Sequence, residues 1–269
     1  MSIFPSRICV ISALSLVIWL AGWTGTAHAL VLSWDSVAWT PGSLSNSYDV
    51  NGDSINDVTL TMVPQNANIF TNDPTTGTMT PTINQTITGG LSPVQNSLMI
   101  AANLHTNSNL TVQISFTSVP LGATDVSFTI FDIDVSTNAD IIDSIYGVAP
   151  DGTHIAATIS NVGSAVDLTG TGLNQVLKGN TASADSGPGS SNGNATISFG
   201  GAAITDVFFT FSNTAGAPRY QDIGLGDLTF TPVPEINPAL GASLSCLVAV
   251  GLTVFLKRRA ARRAGRQTT

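Results

Sequence analysis

Asp125-Val-Ser-Phe-Thr-Ile-Phe-Asp-Ile-Asp-Val135 is the stretch on which the fold turns. Val126, Phe128 and Ile130 alternate with polar residues, the period of two of an extended strand. Near the middle Phe131 and Ile133 add apolar groups of the opposite parity. A strand over Asp125 to Val135 is therefore expected to lie centrally, with both faces partly covered.

The flanking segments repeat the theme. Leu110 to Phe116 places Leu110, Val112, Ile114 and Phe116 on one face. Ile141 to Ala149 reads as a strand closed by Pro150-Asp151-Gly152, where proline presets φ and glycine tolerates the positive φ that follows. His154 to Ile159 is expected to return as the second arm of that hairpin. Further out, Leu30 to Trp34, Val58 to Val63, Ile204 to Phe211 and Ile223 to Phe230 read as strands, the last two joined by a turn around Gly216 and Pro218. Gly163 to Asn194 reads as loop, and its stretch from Asp185 to Asn194 lacks the apolar surface to order itself without a ligand or a neighbour. Thr, Ser, Asn, Gly and Val dominate, a composition that disfavours long helices and favours strands between polar turns. The expectation is an all-β antiparallel β-sandwich, jelly-roll or immunoglobulin-like. Ile223 to Phe230 resembles the last strand of bacterial lectin-like and carbohydrate-binding jelly rolls.

The two ends are different in kind. Arg7, the apolar run Ile8 to Trp23 and Ala27-His28-Ala29 form a secretory signal peptide over residues 1–29. At the other end, Pro232 to Pro238 precedes the uncharged run Ala239 to Leu256, which stops at Lys257-Arg258-Arg259 with Arg262, Arg263 and Arg266 behind. At about 1.5 Å per residue a helix over 239–256 would cover roughly 27 Å, close to the apolar thickness of a bilayer. The basic tail, 257–266, would hold the C-terminus in the cytoplasm and leave the preceding chain outside.

A short Pro-Glu motif, one spanning helix and a terminal Arg cluster resemble the PEP-CTERM sorting segment of bacterial exosortase substrates, here over residues 232–269 with its motif at 233–238. The resemblance implies that Val233, Pro234 and Glu235 are recognised by an exosortase-type membrane transpeptidase. It further implies that the helix is a temporary tether, and that the body is released to the cell surface or to an extracellular matrix such as that of a biofilm. Ile236 stands where the family's motif has a second proline, so the segment is a Val-Pro-Glu-Ile variant.

Between these ends lies one exported domain, residues 30–231, with sixteen Asp, no Glu and only Lys178 and Arg219 as cations, a formal charge of −14. Such a surface repels nucleic acid and anionic lipid and attracts divalent cations. Cys9 and Cys246 both lie outside this body, which excludes disulfides, thiolate metal sites and cysteine nucleophiles from it.

Asp49, Asn51, Asp53 and Asp57 have the spacing of the first part of a calcium loop, with a carbonyl available at Ile55. Ser54 replaces the glycine and Leu60 the closing Glu of such a loop, and an Asx-rich hairpin turn is the alternative. Asp132, Asp134, Asp140 and Asp143 are a second carboxylate set, with Asp222 and Asp227 as further members of the same kind. His105 and His154 belong to no nucleophile motif, and the body lacks the Glu that commonly serves as a glycosidase acid. The body is therefore expected to be non-catalytic, without a certain cofactor, and with calcium and extracellular polysaccharide as its candidate ligands. Trp34, Trp39, Tyr48, Tyr146 and Tyr220 are the aromatics that could stack on a sugar, Tyr220 foremost.

Overall fold

The computed structural model describes residues 28–66, 69–119, 121–181 and 187–234. The expected signal peptide up to residue 27, Glu235, the tether helix and the basic tail lie outside them, and no described helix is long and apolar enough to cross a membrane. In chain order the strands are β1 (Leu30–Leu32), β2 (Ser45–Tyr48), β3 (Val58–Pro64), β4 (Thr82–Asn84), β5 (Ser97–Leu104), β6 (Leu110–Phe116), β7 (Ala123–Phe131) and β8 (Asp140–Val148). They continue as β9 (His154–Ala156), β10 (Thr158–Ser160), β11 (Val166–Thr169), β12 (Val176–Gly179), β13 (Ala195–Ser198), β14 (Asp206–Asn213), β15 (Arg219–Leu225) and β16 (Leu228–Pro232). Among the described residues the only helix is a 3-10 turn, Gly172–Asn174.

These strands make two antiparallel sheets. The first runs β1-β16-β7-β15-β5-β4, with β13 also paired to β7 and β10 to β13. The second runs β11-β12-β8-β14-β6-β3-β2, with β9 beside β8. Period-two patterning dictates the layering. Leu110, Val112, Ile114 and Phe116 of β6 and Val207, Phe209 and Phe211 of β14 face Val126, Phe128 and Ile130 of β7 and Leu98 and Ile100 of β5 in one buried core. Two aromatic pairs bridge the layers, Phe116 with Phe230 at 5.1 Å and Phe128 with Phe209 at 6.0 Å.

Two bulges keep the alternation in phase where the sequence breaks it. Asp125 (φ 53°) and Ser144 (φ 52°) take left-handed backbone at the register shifts in the β16–β7 and β14–β8 pairings. Each inserts an extra residue, so that Ala123 and Val126, and likewise Ile142 and Ile145, all remain buried.

The structure corrects several expected boundaries. β7 ends at Phe131 because Asp132 turns left-handed (φ 66°), so Asp132 and Asp134 lie beyond the strand. The return arm is split: β9 pairs with β8, then Ala157 is buried at a corner and β10 crosses to the other sheet. Ile223 to Phe230 is two strands parted at Gly226-Asp227, because β15 pairs with β5 while β16 pairs with β1. Gly163 to Asn194 is not all loop, since β11 and β12 form a hairpin within it.

Candidate functional site

The Asp49–Asp57 segment closes the β2–β3 hairpin, between the paired residues Tyr48 and Val58. Asp49 Oδ1 accepts the amides of Gly52 (2.7 Å) and Asp53 (3.2 Å), and its Oδ2 accepts that of Ser54 (2.7 Å). Ser54 takes φ 72° under that hold, the conformation a calcium loop assigns to glycine. Asn51 Oδ1 accepts the Asp53 amide and Asp53 Oδ1 that of Ile55. Asp57 turns inward and is 1% exposed. Its Oδ2 accepts from Val50 N (2.8 Å) and Asn51 N (3.1 Å), and its Oδ1 from Asn51 Nδ2 (3.2 Å) and the Ser118 hydroxyl (2.8 Å). The four residues thus come together, but as a turn whose oxygens are engaged by amides. Among the described residues no group of three or more His, Cys, Asp or Glu side chains is set to hold a metal ion.

The second carboxylate set divides. Asp132, Asp134 and Asp140 are all buried, whereas Asp143 sits half-buried at the β8 bulge, bonded by the Ser144 hydroxyl. Asp140 is 1% exposed, and its Oδ1 has no hydrogen-bond partner among the described residues. Burial first, then the charge of Asp134 beside it, pushes its carboxyl well above the usual range. Asp222 accepts the Tyr220 hydroxyl at 3.0 Å, and Asp227 Oδ1 accepts the Trp34 amide at 2.9 Å, tying the end of β1 to the β15–β16 turn. Asp73, which no sequence motif marks, is fully buried and accepts from Thr75 N, the Thr76 and Thr86 hydroxyls and Asn84 Nδ2. Burial pushes its carboxyl up, but the bonds from Thr76, Thr75 and Thr86 together outweigh that and hold it below its ordinary value.

The aromatic candidates are mostly spent on packing. Trp34, Trp39 and Tyr48 are buried, and Trp34 Nε1 donates to Gly226 O. Tyr146 stands on the outer face of the second sheet, stacked on Phe208 (5.3 Å) and on His154 (4.4 Å). Both faces of its ring are taken, so no pyranose can lie on it. Burial, then the Asp222 charge, raises the Tyr220 hydroxyl far above its ordinary value, and Tyr220 remains 37% exposed. His154 is the outer member of the Tyr146 stack, and His105 Nδ1 accepts the Asn107 amide. Both imidazoles therefore have structural employment.

On the outer face of the first sheet lies a groove of about 570 Å3 that no single sequence segment announces. Its floor is Thr129 of β7, Thr196 of β13 and the ring of Phe131, which is 3% exposed. The two threonine hydroxyls bond each other at 3.1 Å, and Asn161 Nδ2 donates to Thr196 at 3.3 Å. Leu91 and Gln95 line it from one loop, Ser191 and Asn194 from another, and Gly226 and Asp227 from the β15–β16 turn.

The two loops are stitched together. Thr88 N donates to Pro188 O, Asn194 Nδ2 to Gly89 O (2.8 Å) and Gly163 N to Asn194 O. A Cβ on Gly163 would lie 2.0 Å from Asn192 O, and one on Gly89 would meet the Phe131 ring at 2.3 Å, so only glycine permits these approaches. This is the neighbour that residues 187–194 need in order to be ordered. With its Nδ2 committed to Gly89, Asn194 keeps a buried Oδ1 that has no partner among the described residues.

No family model matches the chain, and neither does any curated protein. Among solved structures, the chain is similar to CBM27-1 of Caldicellulosiruptor saccharolyticus in complex with mannohexaose. That match has TM-score 0.36 and 10% identity, over 78% of this chain and 100% of the other. It is also similar to the family 11 carbohydrate-binding module of the cellulosomal cellulase Lic26A-Cel5E of Clostridium thermocellum, with TM-score 0.30 and 10% identity over 79% and 99%. Likeness this loose leaves the groove to be argued on its own chemistry.

Proposed function

We propose that the chain is an exported, non-catalytic protein of the cell surface or extracellular matrix, delivered through its C-terminal segment by an exosortase-type transpeptidase. The observation that carries this reading is the pairing of the first strand with the last. Leu30 lies opposite Phe230 and Leu32 opposite Leu228, which brings both ends of the sandwich to one place. Among the described residues, cuts after Ala29 and near Glu235 would then take none from a ladder or from the core. Val233, the first residue of the sorting motif, still donates its amide to Gly122 O at 3.0 Å, and Pro234 beyond it is exposed. The structural employment of both imidazoles supports the non-catalytic part of the reading. From β5 onward the chain changes sheets at eight of eleven steps, which favours a jelly-roll over an immunoglobulin-like topology.

Replacing Pro234 and Glu235 by Ala should leave full-length protein in the membrane fraction, measured by the mass of the mature chain. Release like that of wild type would sink the sorting role. A calcium-assisted carbohydrate-binding module is the second reading. It is favoured by the exposed Asp49 carboxylate, which draws Gly52, Asp53 and Ser54 into the sharp turn that a calcium loop requires.

A further inference from the structure

We infer that the groove on the outer face of the first sheet binds a neutral polysaccharide, one or two sugar rings at a time. The inference rests on the reading of the chain as an exported protein and names the partner it meets outside. Its volume, about 570 Å3, falls within the range of roughly 300–1,000 Å3 usual for small-ligand sites.

Chemistry selects the ligand class. Gln95, Asn161 and Asn194 offer amides, Thr129 and Thr196 offer hydroxyls, and Asp227 offers a carboxylate. Amides and hydroxyls both donate and accept, which matches sugar hydroxyls that do the same. Among the described residues no Lys, Arg or His lines the groove, and the body carries a formal charge of −14, so phosphates, uronates and nucleic acid are repelled. Asn194 is fixed in the groove wall, its Nδ2 held by Gly89 O. Asp227 is fixed by the Trp34 amide and Thr196 by Asn161, so these groups are aligned before any ligand arrives.

Affinity electrophoresis of the purified full-length protein in mild detergent tests this, with galactomannan, mixed-linkage β-glucan or xylan cast into the gel and alginate as the anionic comparison. At least one neutral polymer should retard the wild type, and alginate should not. Thr196→Val and Gln95→Ala should each raise the polymer concentration for half-maximal retardation about three- to tenfold. Thr61→Val, on the outer face of the other sheet, should leave it unchanged. If Thr196→Val fails to fold, Gln95→Ala carries the test alone, its fold checked by circular dichroism. No retardation by the three neutral polymers, equal retardation of wild type and folded groove variants, or retardation by alginate alone overturns the inference. The mass of the mature protein separates the two readings: trimmed ends without retardation remove the groove and keep export, and retardation with intact ends does the reverse.

Discussion

Two carboxylate-rich regions of this sandwich look alike in sequence and are opposites in structure. In the Asp49–Asp57 turn every carboxylate accepts from neighbouring donors, most of them backbone amides. Around Asp140, buried carboxylates lie near one another, and one oxygen of Asp140 has no hydrogen bond among the described residues. Spacing alone does not distinguish a charge that stabilises a turn from one that burdens a core. What decides is whether backbone N–H groups converge on the oxygens.

Stability depends most on the buried acid of the turn. Asp57→Ala removes a buried carboxylate that accepts four hydrogen bonds and leaves the Val50 and Asn51 amides and the Ser118 hydroxyl without it. Loss of about 3 kcal/mol is expected, measured by urea unfolding. A loss below about 1 kcal/mol would mean that the turn does not depend on its buried acid.

For Asp140→Asn the expected sign is reversed. In the fold the Asp140 carboxyl titrates well above the usual range, so it keeps a proton that the unfolded chain releases above about pH 4. Its contribution to stability therefore falls as pH rises from about 4 through its raised folded value, and is level above that. The amide carries no such penalty. At pH 8 the variant should melt about 2–4 °C above the wild type, corresponding to roughly 1 kcal/mol, and the gap should close toward pH 4. A variant that melts lower at pH 8 would show the carboxylate to be compensated.

How much of this was legible follows the same logic of local against distant partners. β6 is found at its expected bounds because its alternation is complete over seven residues. β5 was missed because Ser97–Leu104 is buried on both sides and so does not alternate. Its outer residues Met99 and Ala101 pack with Ile87 and Phe131 in a second, smaller cluster. The β9–β10 break at Ala157 was invisible because both arms keep strand character and only the partner sheet changes. The Asx turn could be anticipated, since Asp49 and the amides it holds lie within five residues. The groove could not. Asn194 and Gly89 are 105 residues apart and Trp34 and Asp227 are 193 apart, and no pattern in either segment marks its partner.

At the turn's exposed end the expected effect is smallest. Asp49→Asn preserves shape but exchanges one acceptor oxygen for an NH2 group, so either the Ser54 amide or the Gly52 and Asp53 amides lose their partner. A loss of about 0.5–1 kcal/mol is expected, or about 1–4 °C in melting temperature. If the carboxylate serves only these amides, that decrement is the same in excess calcium and in chelator. If the turn also holds calcium, chelation lowers the wild type by several degrees and leaves the variant almost unmoved, because the lost charge is then that of a ligand. The two melts, run with and without chelator, thus distinguish an acid that organises its own backbone from one that organises an ion.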